Sequence, residues 1–343
     1  MPRTDRGYPF LQHDDRDDLS PTVSLPITPT AHRESPAEAL AGNIDGGAGA
    51  TTRTLRLQPD RRFSPVETFA PVSWSAGRWP NEDWIDGAFW WVGRVGGQTV
   101  WRRLAGADSA TTLVVAGDAP AAQDAAWFAR LCKPPSIGEE GWTDPTVGRL
   151  ASRYRGAWTF CYGTLFDGVV ASIVGQSISL AAAGVTAARL AARFHPGVRL
   201  AGRTFWPLPS AADLADADPT FVRQSGVTTK RAEALCAVGR LCADLDLPDV
   251  PDLPALAALE LAMLDLPGIG PWTVASSLLW GIGHPDAFPR GDVALLRAAR
   301  HCYVSSDLDM KGLNSLSEAW RPYRGEAARL LWLDLFGPAP GAS

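Results

Sequence analysis

The sequence predicts an α+β fold, in which a small N-terminal α/β domain built on an antiparallel sheet precedes a larger, mainly α-helical domain. Three observations predict it. Between about 54 and 132, short runs of strand-like composition are punctuated by turn residues, and two of them meet at Gly96-Gly97, a dipeptide that joins antiparallel strands through a two-residue turn. Beyond Lys133-Pro134-Pro135 the apolar residues recur at helical spacing in segment after segment, with breaks at glycine or proline. Within that second region Leu266-Pro267-Gly268-Ile269-Gly270 forms a tight turn between two apolar-periodic stretches, ALAALELAML and PWTVASSLLW.

Taken in order, residues 1–52 are rich in Asp, Pro, Ser, Thr, Gly and Ala, with DDRDD at 14–18. Such a segment has too little apolar surface to offset its ordering entropy, so a disordered tail without chemistry of its own is expected. Residues 53–135 make the α+β domain. Thr54-Leu55-Arg56-Leu57 alternates as a strand, and Ser64-Pro65-Val66-Glu67 reads as a capping box opening a short helix. AFWWVGRV and QTVWRRLA form the hairpin, TTLVVAG adds a strand, and 120–132 reads as a helix. Trp90, Trp91 and Trp101 are expected to pack the sheet. Residues 136–343 make the helical domain. Helices are predicted at 144–154, 164–174, 179–194, 210–215, 219–224, 229–244, 254–264, 271–281, 292–301, 314–321 and 324–335.

A chain of 343 residues, 46% apolar and 20% charged, has the composition of a water-soluble protein of about two domains. No apolar run approaches the roughly 20 residues of a membrane span, and no basic-then-apolar leader opens the chain, so a cytoplasmic, nucleoid-associated location is expected. The net charge is -5, of which residues 1–60, with nine acids and six bases, carry -3. The remainder is nearly neutral, so any nucleic-acid binding must come from a local patch and from backbone N–H groups. The five cysteines are scattered and odd in number, which points to reduced thiols. The histidines at 13, 32, 195, 284 and 301 show no metal-ligand spacing. A monomer is the default.

The glycine turn carries chemistry of its own. Glycine at 268 and 270 permits positive φ and close approach, and Pro271 at the first helical position leaves N–H groups at a helix N-terminus, where a phosphate can be held without lysine. The carbonyls of Leu264, Leu266 and Ile269 converge, and can hold a monovalent cation such as Na+ or K+. An ordinary loop between packed helices accounts for the same residues. About twenty residues on, Phe288-Pro289-Arg290-Gly291-Asp292 precedes the apolar run Val293-Ala294-Leu295-Leu296. Asp292 therefore stands where a helix N-cap is expected, and by itself needs no other role.

Together, the helix-hairpin-helix stretch (264–282) and the Gly-Asp that opens a helix (loop 286–297) resemble the HhH-GPD superfamily of DNA glycosylases, and in particular its 3-methyladenine DNA glycosylase II branch. FDGVVASIVGQSIS at 166–179, FWPLPSAADLADADPTFVRQSGVTTKRAEAL at 205–235 and AWRPYRGEAARLLW at 319–332 extend the resemblance over about 54–336. The resemblance implies that Asp292 is catalytic, that Trp272, Ser276 and Trp332 line the pocket for an extruded base, and that Gln176 and Ser177 fill the gap it leaves. Gly268, Ile269 and Gly270 would contact the DNA backbone. Ser276 stands where the family often has tyrosine, and Ser177 where it has a bulkier residue.

The resemblance further implies a monofunctional enzyme for double-stranded DNA carrying alkylated bases. The hairpin position that holds lysine in strand-cutting relatives is Trp272, and the lysines lie at 133, 230 and 311. No cofactor is required, and no iron-sulfur cluster is expected, because only Cys302 follows the catalytic loop. Two alternatives stay open. One is a non-catalytic DNA-binding protein that keeps the hairpin, and the other is a glycosylase for a different damaged base.

Overall fold

The computed structural model describes residues 53–57, 59, 61–106, 113–117, 121–244 and 253–340, so the tail predicted at 1–52 lies outside the described residues. Five strands form the N-terminal sheet: β1 (Arg53–Leu57), β2 (Glu82–Ile85), β3 (Ala88–Val95), β4 (Gln98–Gly106) and β5 (Leu113–Gly117). Their order is β1-β5-β4-β3-β2, and every pairing is antiparallel. Gly96 and Gly97 turn the β3–β4 hairpin with φ of 57° and 80°, and Val95 pairs with Gln98 across it. That positive pair matches the right-handed twist of the strands. The strand β2 was not foreseen.

Two short helices, α1 (Pro65–Thr68) and α2 (Ala70–Ser73), follow β1, and α3 (Ala121–Leu131) follows β5. Ser64 caps α1 as expected, accepting from the Glu67 N–H at 3.4 Å. The other half of the capping box is absent, because the Glu67 carboxylate accepts instead from the Gly156 N–H at 3.2 Å. One sheet face buries Phe89 and Leu104 with Phe69, Trp127, Phe128 and Phe160, and the Phe69 and Phe89 rings stack at 4.3 Å. On the other face Trp90 and Trp101 stack at 5.9 Å, so these tryptophans pack the sheet as predicted.

The helical region comprises α4 (Pro145–Arg153), α5 (Leu165–Gly175), α6 (Leu180–Phe194), α7 (Ala211–Ala215), α8 (Pro219–Arg223), α9 (Thr229–Asp244) and α10 (Leu253–Leu264). It ends with α11 (Pro271–Ile282), α12 (Val293–Cys302), α13 (Met310–Ser317) and α14 (Arg324–Phe336). The helix predicted at 314–321 starts earlier, at Met310, because the Asp309 carboxylate caps it from the Gly312 N–H at 2.7 Å.

Two small strand pairs interrupt the helices: β6 (Cys132–Lys133) with β7 (Thr159–Phe160), and β8 (Val198–Leu200) with β9 (Arg203–Phe205). Three-residue strands are too short for alternation to be read in sequence. Leu200 and Phe205 of that second hairpin pack against the Trp90 and Trp101 face of the sheet. The chain end also returns to the first domain, where the Ala339 N–H donates to the Val66 carbonyl at 2.7 Å.

Helices α5 and α11 lie side by side and set the site. A Cβ on Gly168 would stand 2.5 Å from the Gly281 Cα, so only glycine lets the two backbones touch there. This contact fixes the loop after α5 relative to the turn before α11. All five cysteines are free and buried. Among the described residues no single helix is long and apolar enough to cross a membrane.

Candidate active site

The turn between α10 and α11 closes on its own backbone. The Leu266 N–H donates to the Met263 carbonyl at 3.0 Å, and the Ile269 N–H donates to the Leu266 carbonyl at 3.2 Å. Gly268 takes the expected positive φ, 91°. Gly270 does not; its φ is -124°, an extended N-cap that any residue adopts. Its place in the turn is explained instead by the cap, since no side chain covers it and the first N–H groups of α11 stay available. Ile269 is 7% exposed and anchors the turn in the core, so only its backbone can face a ligand.

The loop after α5 is tied to this turn. The half-buried Gln176 caps α5 and donates through Nε2 to the Gly268 carbonyl at 3.0 Å and to Thr273 Oγ1 at 2.9 Å. Its own carbonyl accepts from Arg231. The gap-filling residue of the sequence analysis is therefore also the tether of the hairpin. Ser177 is exposed with φ of 55°, and Ile178 and Leu180 beside it are exposed apolar side chains.

Asp292 is the N-cap of α12 and uses both oxygens. Oδ1 accepts from the Leu295 N–H at 2.7 Å, and Oδ2 accepts from the Trp272 indole N–H at 3.0 Å. The structure thus brings together the two residues that the sequence placed twenty positions apart, and gives Trp272 a task toward the carboxylate. Val293, 76% exposed, marks this end of the helix as open to solvent. Ser276 is buried at 3% exposure, and Trp332, at 4%, stacks on Trp280 at 5.5 Å. Both sit inside the helical core.

Behind Asp292 lies a network the sequence analysis did not anticipate. Arg324 is fully buried and clasps Asp286 with two bonds, Nε to Oδ1 at 2.8 Å and Nη2 to Oδ2 at 2.7 Å. Arg321 adds a third to Asp286 at 3.1 Å. Glu318 accepts from Arg321 at 2.6 Å and from Arg290 at 2.7 Å, and the Arg321 hydrogen bond holds its carboxyl below the usual range. The Gly325 N–H donates to the Pro285 carbonyl at 2.7 Å. Burial pulls the His284 imidazole below its ordinary value, and its Nδ1 accepts from the Asp286 N–H at 3.2 Å. The loop 284–292 is thereby clamped by the segment 318–326. Its only signal in sequence was the pair of arginines in Trp-Arg-Pro-Tyr-Arg. Lys230 was missed too: its side chain is exposed and lies against the turn, its Cγ 3.3 Å from where a Gly268 Cβ would be.

Residues 170–322 match the family model described as HhH-GPD superfamily base excision DNA repair protein. This stretch of the chain is similar to the HhH-GPD superfamily. A probable bifunctional transcriptional activator and DNA repair enzyme of Mycobacterium tuberculosis is 33% identical over 171 residues, which is 49% of this chain and 33% of that protein. A DNA-3-methyladenine glycosylase of Bacillus subtilis is 24% identical over 198 residues, covering 56% of this chain and 64% of that one. The chain thus spans a third of the mycobacterial relative's length and somewhat under two thirds of the other's. Its fold is that of the 3-methyladenine DNA-glycosylase from Archaeoglobus fulgidus, with a TM-score of 0.67 at 18% identity over 82% of this chain and 99% of that one.

Proposed function

We propose that the protein is a DNA base-excision glycosylase that hydrolyses the N-glycosidic bond of alkylated purines, chiefly of the 3-methyladenine type. The observation that carries this reading is the doubly held carboxylate of Asp292 beside the hairpin turn. Breaking the bond between base and sugar builds positive charge on the sugar. A fixed anion stabilises that charge and orients the attacking water, and its donors are already in place before the reaction. A cationic alkylated base leaves without a strong general acid and costs less to extrude from the duplex. The edge of Trp272 that faces Asp292 leaves its ring as a surface for such a base, worth about 1–2 kcal/mol if desolvated. Ser276 and Trp332, expected in the pocket from the resemblance, are buried in the helical core and are not assigned to this surface.

The DNA backbone is held by the N–H groups at Gly268 and Gly270, with Ile269 anchoring the turn and Lys230 adding charge beside it. A Na+ or K+ ion on the carbonyls of Leu264, Leu266 and Ile269 would add more. Gln176 and Ser177 enter the gap in the duplex. With tryptophan at 272, no amine of the hairpin reaches the sugar, so the product is an abasic site in an unbroken strand, made by a monomer without an iron-sulfur cluster or other required cofactor.

The test is release of free base from methylated duplex DNA by the purified protein and by Asp292→Asn, with the product checked for strand breaks before and after alkali. Release of 3-methyladenine by the wild type alone, with breaks only after alkali, is expected. Release by both proteins would move catalysis off Asp292. Strand breaks without alkali would overturn the monofunctional reading. No release by either, with DNA binding intact, would favour a binding protein, and release of another base alone would replace the alkylpurine assignment.

A further inference from the structure

A cavity of about 330 Å³ lies where the N-terminal sheet meets the helical domain. It sits at the N-terminal end of α5, the opposite end from Gln176, and base excision at Asp292 makes no use of it. Its volume is that of a small-ligand site, and domain interfaces are where such sites concentrate.

Three independent features of its walls point to one ligand chemistry. Arg94 and Arg130 line it with the Asp167 carboxylate, and Arg102, which lines it too, is paired with Asp124. The first residues of α5, an 11-residue helix, line it as well, and the Thr164 side chain covers only the Asp167 N–H, at 3.0 Å. Guanidinium groups and a helix N-terminus together attract an anion. The second feature is Asn81, which lines the cavity at 4% exposure while its Oδ1 has no hydrogen-bond partner. A buried acceptor of that kind calls for an N–H donor. The third is aromatic: Trp91, Trp127, Tyr162 and Phe166 contribute to the walls. The Arg102 guanidinium is held over two of them, 5.3 Å from the Trp91 ring and 4.9 Å from the Trp127 ring, and is bound to Asp124 at 2.9 Å. The wall is thus built of side chains that hold one another in place.

We propose that this cavity binds a nucleoside monophosphate carrying an exocyclic amine. The planar base lies among the aromatic side chains and places its amine against the Asn81 amide. The phosphate lies toward Arg94, Arg130 and the start of α5. The inference stands apart from the base-excision reading, since neither Asp292 nor Trp272 takes part.

The experiment is calorimetric titration of the full chain with AMP, and separately with adenosine and with inorganic phosphate. One-to-one binding of AMP is expected, with adenosine and phosphate each weaker by about tenfold or more. Arg94→Ala and Asn81→Ala should each weaken AMP by about tenfold, while Trp272→Ala leaves it unchanged. Asn81→Ala should melt at or above the wild-type temperature, because it removes an unpartnered buried acceptor. The absence of saturable AMP binding below about 1 mM would overturn the proposal. So would binding that Trp272→Ala abolishes and Arg94→Ala spares, since that would place AMP in the base site. Base release from methylated DNA is scored in a separate assay, so either reading can fail alone.

Discussion

Two pieces of chain converge on Asp292, and they are held by different forces. The turn 266–270 is closed by hydrogen bonds between near neighbours, anchored by Ile269 and tethered by Gln176. The loop 284–292 is held by charged side chains from 318–326, and its central pair, Asp286 and Arg324, is separated by 38 residues and closed to solvent on the arginine side. The difference is one of cost. A neutral backbone turn loses about 1 kcal/mol per missing bond, whereas a buried ion pair that loses one partner leaves an uncompensated charge, at about 3–5 kcal/mol.

The largest effect is therefore expected at Arg324. Arg324→Met keeps the volume but removes both guanidinium bonds to the half-closed Asp286 carboxylate and leaves it Arg321 alone, so a drop in stability of about 3 kcal/mol should appear in denaturant unfolding. The double change Arg324→Met with Asp286→Leu should recover much of that loss, because neither member of the central pair is then left behind and Arg321 keeps Glu318 as its partner. Full loss in the single variant with no recovery in the double would mean that the clamp acts through shape and not through charge.

The same contrast explains what was legible in the sequence. The turn, the capping Asp292 and the helices on either side follow from residues close together in the chain, so period, glycine and cap chemistry sufficed to place them. The exception is Gly270, whose positive φ was expected from its residue type and is not used. The clamp could not be read, because nothing local in Asp286 says that its partner is Arg324. The same holds for Glu67, which looked like the second half of a capping box and in fact reaches Gly156. Trp272 was placed near the site by the family resemblance alone. That its N–H meets Asp292 depends on how α11 and α12 pack, which sequence does not state.

A smaller effect tests the meeting of the two pieces at Trp272. Trp272→Phe keeps a ring in the hairpin and removes the donor to Asp292 Oδ2. A hydrogen bond to a charged group is worth about 1.5–3 kcal/mol, so base release should slow by about ten- to a hundredfold in single-turnover assays while DNA affinity holds. An unchanged rate would show that the indole orients nothing. Gln176→Ala comes next. It breaks two neutral bonds to the turn and should weaken binding to an abasic duplex by about tenfold, measured by fluorescence anisotropy, with little change in melting. Unaltered affinity would mean that the turn keeps its shape without the tether.

The smallest effect concerns the turn's own support and depends on pH. Glu260 lies on α10, one turn before the hairpin, and burial alone pushes its carboxyl from 4.5 up to about 7. Below the unfolded value of 4.5 the group is protonated in both states and costs nothing. As the pH rises through 7, the unfolded chain has already gained a solvated carboxylate while the folded chain must ionise a half-buried one, so stability is lost across that window and stays lost above it. Glu260→Gln, which keeps the shape without the charge, should therefore melt like the wild type at pH 4.5 and above it at pH 8. The loop 284–292 should respond in the opposite direction. The Glu318 carboxyl is held below its usual range by Arg321, so its contribution is present at neutral pH and fades as the pH falls through its lowered folded value. Melting curves of Glu260→Gln and Glu318→Gln across pH would then separate at opposite ends of the range. Parallel curves would show that neutral burial and ionic clamping do not divide the site as the geometry divides it.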